Sequence, residues 1–302
     1  MTTTNRAALR LGAVNYLNTK PLVYGLGGAG GSCASSPGAY DLSFDLPSRL
    51  ADDLAAGRLD VALIPSIEFF QNPSYAVVSD ACIACRGPVL SVKLFSRVPL
   101  ESIASLALDE GSRTSAAVVQ ILLRKRFGLA PALEPLPIGA TLADTAADAV
   151  LLIGDRAIHS PPGRFAAVWD LGDQWQRWSG LPFVFAMWVA RPGIDADRLA
   201  ELATVLAAAR DGGLAHVEEI AEREAPLLGL TIPQCVSYLR DNLHFTLGPL
   251  ERRGLDLFHR LAAELALVPA DSIYANSNAD TDADNPNATQ RSAVAADCQT
   301  AR

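Results

Sequence analysis

Three hydroxyl side chains stand where a predicted strand at 106–108 gives way to a predicted helix: Ser112, Thr114 and Ser115. The first N–H groups of a helix have no partner within it, and with nearby hydroxyls they form a site suited to a carboxylate. One hydroxyl is enough for an ordinary helix cap, so three favour an anion site over capping alone. Arg113 could pair with a carboxylate or face solvent, and the pattern leaves both open.

Polar residues also follow two other predicted strands. Asn15 and Asn18 come just after the strand at 9–14, and Ser66 and Glu68 follow the next strand of the same unit. Ligands of open α/β sheets bind beyond the carboxyl ends of strands, so these four are candidate cleft residues. Turn formation is an equal alternative, because Asn and Ser also favour turns.

Aromatic residues crowd the segment 169–188, which contains Trp169, Trp175, Trp178, Phe183, Phe185 and Trp188. Most are predicted to pack in the core, where large rings bury the most apolar area. One or two of them could instead form a wall for a flat, unsaturated ring. We take Phe183 as the candidate for that position.

Other motifs indicate no chemistry. Residues 25–30 fit the spacing G-x-G-x-x-G, but no helix follows directly, so 25–38 is predicted to be a flexible loop. Cys82 and Cys85 form a single C-x-x-C without a second ligand pair, which favours small buried residues over a zinc or redox site. The four histidines form no paired ligand pattern, and neither a G-x-S-x-G nor a P-loop motif occurs.

The elements that must position these residues alternate between strand and helix, which predicts an α/β fold with parallel strands and covering helices. The strands at 89–95 and 183–190 are predicted to cross between two lobes. Lobe 1 would then comprise 9–94 plus 190–270, and lobe 2 would be an insertion at 95–189, with a cleft between them. Residues 275–302 are polar and acidic and are predicted to form a disordered tail.

Composition narrows the function classes. The chain has 302 residues, half of them hydrophobic, and a formal net charge of −8. An acidic protein is a poor partner for nucleic acid or an anionic membrane, so neither is expected. No apolar run reaches the length of a membrane span and no secretory signal opens the chain, so we expect a cytoplasmic protein. The oligomeric state stays open.

Five segments occur in an order that resembles one family. They are 12–22 (GAVNYLNTKPL), 87–92 (GPVLSV), 109–115 (DEGSRTS), 153–157 (IGDRA) and 180–185 (GLPFVF). The set is similar to the chorismate dehydratases of the futalosine route to menaquinone, and the resemblance extends over about 9–270.

This resemblance implies a two-lobed fold like that of type 2 periplasmic binding proteins, with two crossover strands. It implies a cofactor-free lyase that dehydrates chorismate to 3-[(1-carboxyvinyl)oxy]benzoate. Asn18 and Ser91 match active-site positions, and Gly154 and Asp155 join the expected substrate-binding residues. The base would be the enolpyruvyl carboxylate of the substrate itself, with Glu68 as the rival.

Two alternatives remain at the level of sequence. One is the 1,4-dihydroxy-6-naphthoate synthase of the same pathway, for which a histidine in the cleft would be expected. The other is a non-enzymatic cytosolic solute-binding protein for a small carboxylate.

Overall fold

The computed structural model describes residues 7–26, 39–159 and 163–269. All of them belong to one compact unit. The predicted tail at 275–302 and, from residue 27 onward, the predicted loop at 25–38 lie outside the described residues. No helix within the described ranges is long and apolar enough to cross a membrane.

Strands and helices alternate over most of the described chain. The strands are β1 (Leu9–Val14), β2 (Tyr40–Asp45), β3 (Val61–Pro65), β4 (Ala76–Cys85), β5 (Val92–Ser96), β6 (Ser105–Asp109), β7 (Ala132–Leu136), β8 (Ala149–Ile153), β9 (Ala167–Asp170), β10 (Phe183–Ala190) and β11 (His244–Thr246). The helices are α1 (Pro47–Ala55), α2 (Ser66–Phe69), α3 (Arg113–Phe127), α4 (Asp155–Ile158), α5 (Leu171–Ser179), α6 (Ala196–Ala215), α7 (Val217–Glu224), α8 (Ile232–Ser237) and α9 (Pro249–Glu264). A 3₁₀ segment, Leu17–Val23, follows β1, and a π-helical segment, Tyr238–Asn242, follows α8.

The strands form two sheets. The first has six strands in the order β11-β4-β10-β3-β1-β2, and the second has five in the order β7-β6-β8-β5-β9. β1 runs parallel to β2 and β3, whereas β10 runs antiparallel to β3 and β4. The prediction of an α/β fold is therefore confirmed, but each sheet is mixed rather than wholly parallel. β10 runs antiparallel to its neighbours in the first sheet, and β5 does so in the second.

Both predicted crossover segments contain strands, and each strand pairs within a single sheet. β5 pairs with β8 and β9 in the second sheet, and β10 pairs with β3 and β4 in the first. The chain therefore passes between the sheets just before β5 and again through α5. The division into two lobes stays a proposal, and this pairing favours boundaries before β5 and before β10 rather than at residues 95 and 189.

Helix α3 begins and ends at residues whose local sequence signals predict its limits. Ser112 has extended backbone angles and its hydroxyl accepts the N–H of Ser115, which caps the first turn. Gly128 ends the helix at φ +71°, a left-handed conformation that glycine adopts without a Cβ penalty. The helix buries an apolar face between these limits, including Val118, Ile121 and Leu122.

The central strands of the first sheet are fully apolar and inaccessible to solvent. Every residue of β3 and of β10 is buried. Cys82 and Cys85 both lie in β4, both buried and both free, so the interpretation of the C-x-x-C as small buried residues is confirmed. Burial raises the pKa of the Cys85 thiol to about 12, which keeps it protonated.

Candidate active site

A cavity lies between the two sheets, and both contribute to its wall. Val14 at the end of β1 and Pro65 at the end of β3 line it from the first sheet, and Val92 of β5 and Ile153 of β8 line it from the second. The space between the lining atoms, together with its open mouth, amounts to about 500 Å³. Among the described residues, none on its wall carries a charged side chain. A charged ligand would therefore be held by hydroxyls, amides and backbone dipoles.

The N-terminus of α3 supplies the hydroxyl-rich part of the wall. Ser112, Thr114 and Ser115 all line the cavity, and all are buried. The Ser112 hydroxyl donates to Ser115 Oγ over 2.7 Å, which leaves the Ser115 hydroxyl proton available. The Thr114 hydroxyl accepts the backbone N–H of Ile67 over 3.2 Å and so ties α3 to α2. The first turn of a 15-residue helix faces the cavity here, as an anion site requires.

Ser91 lies on the connection that enters β5, and its backbone is held from two sides. The carboxylate of Asp170 accepts the N–H of Val89 at 2.9 Å and of Leu90 at 2.7 Å. Leu90 adopts φ +59°, a conformation that is costly for leucine and persists only where its surroundings impose it. The N–H of Gly154 donates to the Ser91 carbonyl over 2.9 Å. These contacts fix the position of Ser91 at the cavity.

Asn18 reaches the cavity from the 3₁₀ segment after β1. Its side-chain oxygen accepts the Thr19 hydroxyl over a long 3.3 Å. The segment itself is anchored to the second sheet, because the N–H of Leu17 donates to the carboxylate of Asp155 at 3.1 Å. Burial raises the pKa of Asp155, and the hydrogen bond from Leu17 acts against that rise. Asp155 thus holds the segment that carries Asn18 and does not itself line the cavity.

Gly154 is required by a close approach of Tyr16. It adopts φ +72°, and a Cβ at this position would lie 2.9 Å from the Tyr16 ring. Both residues line the cavity, so the absent side chain lets the ring lie against the end of β8. Burial, reinforced by the charge of Asp109, raises the pKa of Tyr16 to about 12, which leaves its phenol neutral and able to donate a hydrogen bond.

Half of the predicted site residues come together on this wall: Asn18, Ser91, Ser112, Thr114, Ser115 and Gly154. Ser66 lies just behind it, fully buried, with its hydroxyl donating to the Val184 carbonyl over 2.8 Å. Asn15 is exposed and does not line the cavity. The catalytic and binding roles of all these residues remain predictions.

Arg113 and Glu68 bind each other rather than facing the cavity. The guanidinium of Arg113 lies 2.9 Å from Asp52 of α1 and 3.3 Å from Glu68 of α2. Burial raises the pKa of Glu68, while the charge of Arg113 acts to lower it. Arg113 thus forms ion pairs within the protein while 39% of its side chain stays exposed to solvent, and its pairing with a ligand carboxylate stays a prediction.

Phe183 is not on the cavity wall, and Phe185 takes the place predicted for it. Phe183 is 1% exposed and packs edge-on against Trp175 and Phe258, with ring centroids 5.0 Å apart in both cases. Phe185 lines the cavity. The pairing of β10 with β4 shifts register between Val184 and Ala186, and such an irregularity redirects side chains in a way that alternation along a strand does not predict.

Sequence reasoning missed three residues of the site. Tyr16 stands inside a segment that the family resemblance already contained, so the signal was present there. Phe185 belongs to the aromatic cluster at 169–188, but the cluster alone does not distinguish it from Phe183. Asp170 gave no local signal, because its partners Val89 and Leu90 are distant in sequence.

The sequence model of a family described as menaquinone biosynthesis matches residues 9–264. The chain belongs to the menaquinone biosynthesis family. Among the similar members of this family, a chorismate dehydratase of Thermus thermophilus is 32% identical over 265 residues, which cover 82% of this chain and 93% of that protein. A chorismate dehydratase of Campylobacter jejuni is 28% identical over 182 residues, or 58% and 64% of the two chains. The resemblance found from the five motifs is thereby confirmed.

Solved structures identify the fold of this menaquinone biosynthesis family member. A protein of Archaeoglobus fulgidus superposes with a TM-score of 0.68 at 13% identity, covering 87% of this chain and all of that one. The periplasmic aliphatic sulphonate binding protein of Escherichia coli superposes with a TM-score of 0.60 at 15% identity, covering 88% and 89%. At such identities the likeness concerns the fold alone. The predicted fold like that of periplasmic binding proteins is confirmed.

Proposed function

We propose that this protein is a chorismate dehydratase, a carbon–oxygen lyase that converts chorismate to 3-[(1-carboxyvinyl)oxy]benzoate and water in menaquinone biosynthesis. The observation that carries the proposal is the uncharged, hydroxyl-rich cavity, whose wall joins Asn18 and Ser91 to the N-terminus of α3. Membership of the menaquinone biosynthesis family and the Thermus thermophilus relative support the same activity.

The reaction needs few protein groups, because the substrate supplies most of the driving force. Loss of the C3 proton and of the C4 hydroxyl turns the cyclohexadiene ring of chorismate into a benzene ring. Negative charge builds on the ring carboxylate as the C3 proton leaves, since the diene connects the two. A site that holds this extended anion with fixed dipoles and excludes water would lower the barrier.

Residues from both sheets would bind the substrate and stabilise the anion. The first turn of α3, with Ser112 and Ser115, would receive one carboxylate at the positive end of the helix dipole. Ser91 and Asn18 would donate hydrogen bonds to ring substituents, including the C4 hydroxyl as it departs. Tyr16, Phe185 and the apolar side chains between them would exclude water from the ring.

No histidine or carboxylate among the described residues lines the cavity. This supports the substrate's own enolpyruvyl carboxylate as the base. This carboxylate would accept the C3 proton and pass it to the C4 hydroxyl, which would leave as water. Glu68, the rival base, lies behind the wall in an ion pair with Arg113.

The direct test is to incubate the purified full-length protein with chorismate and to follow the aromatic product by ultraviolet absorbance and mass. Formation of that product at catalytic rates supports the proposal. Tight binding without turnover would replace it with a solute-binding role. Turnover of a cyclic futalosine derivative but not of chorismate would replace it with the naphthoate synthase.

Substitution of the two predicted catalytic residues tests the site itself. Ser91→Ala and Asn18→Ala should each lower kcat by about 100-fold, the usual effect of removing one donor to a developing charge. Ser74→Ala, on the exposed loop after α2, is the matched control and should leave kcat unchanged. Wild-type turnover in both cavity variants would show that the site has been misplaced.

A further inference from the structure

Tyr238 is a buried phenol near Ser91 and Asn18, two residues of the cavity wall. It is the first residue of the π-helical segment Tyr238–Asn242, and only 1% of it is exposed. Segments of π-helix are rare, and they occur frequently at functional sites. Neither the sequence motifs nor the proposed mechanism assigns this residue a role.

The hydroxyl of Tyr238 is unusual because it is buried without a formed hydrogen bond. Among the described residues, no group meets it with hydrogen-bond geometry. Buried tyrosine hydroxyls are nearly always paired, so an unpaired one calls for an explanation, and a catalytic role is one of those known.

The polar neighbours of this hydroxyl are the side chains of Ser91 and Asn18. Burial raises the pKa of Tyr238, and the nearby side chains of Ser91 and Asn18 act to lower it, although neither meets the phenol with full hydrogen-bond geometry. The phenol therefore lies beside both predicted catalytic residues, which reach the cavity from different segments of the chain.

The side chains of those two residues are held only weakly by their present partners, although the backbone around Ser91 is fixed. The Ser91 hydroxyl donates to the Val89 carbonyl over 3.4 Å, at the limit of a hydrogen bond. The Asn18 oxygen accepts the Thr19 hydroxyl over 3.3 Å. Contacts this long are weak, so little is lost when either side chain exchanges its present partner for the phenol.

We propose that Tyr238 is a positioning residue for the dehydration: its O–H donates to Ser91 Oγ or to Asn18 Oδ1 and orients them towards the departing C4 hydroxyl. A serine hydroxyl that accepts a hydrogen bond from the phenol can turn its own proton away from Val89 and towards substrate. Hydrogen bonds in such a chain polarise one another, so the Ser91 hydroxyl becomes a stronger donor to the substrate. This inference rests on the proposed function.

Tyr238→Phe removes the hydroxyl and keeps the ring, so the fold and the cavity wall are retained. We expect kcat for chorismate to fall about tenfold, with KM changed less than about twofold and Tm within about 2 °C of wild type. Tyr24→Phe is the matched control, because the Tyr24 hydroxyl donates to Glu219 at the surface, away from the cavity. It should leave kcat unchanged.

A double-mutant cycle separates positioning from a general structural effect. If Tyr238 acts through Ser91 and Asn18, adding Tyr238→Phe to Ser91→Ala or to Asn18→Ala should cost clearly less than it does alone, in at least one background. Site-specific 3-fluorotyrosine at position 238, which keeps the ring and the donor, should restore kcat to within about twofold of wild type.

The outcomes distinguish this inference from the function on which it rests. A wild-type protein that does not turn over chorismate overturns the proposed function and this inference with it. Normal turnover by Tyr238→Phe, or an equal loss in all backgrounds, overturns the inference alone. If Tyr238→Phe does not fold, the protein with 3-fluorotyrosine at position 238 decides instead. Because that residue keeps the donor, a kcat far below wild type would overturn the inference.

Discussion

At the scale of single residues, the site depends on neutral groups in a protein whose net charge is negative. Charged side chains near the cavity neutralise one another instead of facing a ligand, as Arg113 does with Asp52 and Glu68. A dianionic substrate would then meet hydroxyls and the positive end of a helix. Such groups are already oriented before the reaction, so they stabilise developing charge without reorganising.

Glu68→Gln tests whether this carboxylate is the base. We expect kcat to stay within about twofold of wild type, because Glu68 lies off the cavity wall and a base must reach the proton it removes. KM should rise slightly through the weakened ion pair with Arg113. Steady-state kinetics with chorismate would measure both.

Asp52→Asn is the control for that experiment, since it weakens the same ion pair from α1. The two variants should behave alike. A kcat at least 100-fold lower in Glu68→Gln alone, with Tm retained, would make Glu68 the base after all.

At the scale of elements, the active-site segments are held by packing that leaves no room for extra atoms. Helix α6 lies against the 3₁₀ segment that carries Asn18. A Cβ at Gly213 would lie 2.2 Å from the carbonyl oxygen of Pro21 and 2.5 Å from its Cα. The position of Asn18 is therefore set partly by a glycine almost two hundred residues away in sequence.

Gly213→Ala should push the 3₁₀ segment away from α6. Alanine favours a helix by about 1 kcal/mol over glycine, but the clash with backbone should outweigh this and destabilise the protein by about 1–3 kcal/mol. Turnover should fall too, because Asn18 moves with the segment. Urea unfolding and kcat would measure the two effects.

The neighbouring Gly212→Ala provides a matched comparison in the same helix. Its Cβ would meet only the Tyr24 ring, at 3.3 Å, and a side chain can shift where a backbone cannot. Gly212→Ala should therefore have a larger free energy of unfolding than Gly213→Ala. The clash argument fails if Gly213→Ala proves as stable as Gly212→Ala.

The far end of the first sheet is held by a different kind of contact, a carboxylate between two guanidinium groups. Asp60, just before β3, accepts hydrogen bonds from Arg10 of β1 and from Arg191 at the end of β10. These contacts, led by the hydrogen bond from Arg10, hold the pKa of Asp60 well below its usual range. A lowered pKa means that the folded state favours the ionised carboxylate.

Asp60→Asn should lower the free energy of unfolding at pH 7 by about 1–2 kcal/mol, because hydrogen bonds to a charged group are lost while Arg10 stays partly solvated. The stabilisation by Asp60 is complete above the unfolded-state pKa of about 3.9 and is lost as pH falls below it. The difference between wild type and variant should thus shrink as the pH falls from about 4 towards the lowered pKa of Asp60 in the folded state. Urea titrations at several pH values would measure it, and a constant difference would contradict the argument.

At the scale of the whole molecule, the two sheets are joined across the cavity by a few specific contacts. Thr114 contacts Ser66 and Ile67, Asp155 accepts the N–H of Leu17, and Arg113 binds the acidic residues of α1 and α2. These contacts surround the cavity, so they favour a closed arrangement. Closure would exclude water from the reaction.

Arg113→Gln should weaken the closed arrangement without changing the predicted catalytic residues Asn18 and Ser91. We expect KM for chorismate to rise about three- to tenfold with kcat changed less than twofold, the pattern of lost binding energy that is uniform through the reaction. Arg177→Gln removes an exposed ion pair on α5 and should change neither value. A fall in kcat with unchanged KM would assign Arg113 to the chemistry instead.

The sequence by itself determined the elements whose signals are local. The hydroxyl cluster with its cap at Ser112, the stop at Gly128 and the apolar run of β10 all depend on neighbours within a few residues. Those signals were enough for an α/β fold, for six of the residues on the cavity wall and, through five ordered motifs, for the family.

Only the tertiary structure decided which polar groups face the cavity. Arg113 pairs with Asp52 and Glu68, Phe185 rather than Phe183 lines the cavity, and Tyr238 lies near Ser91 and Asn18. Each outcome follows from contacts between residues far apart in the chain. Periodicity and spacing carry no information about such contacts, because they describe each element before it has packed against another.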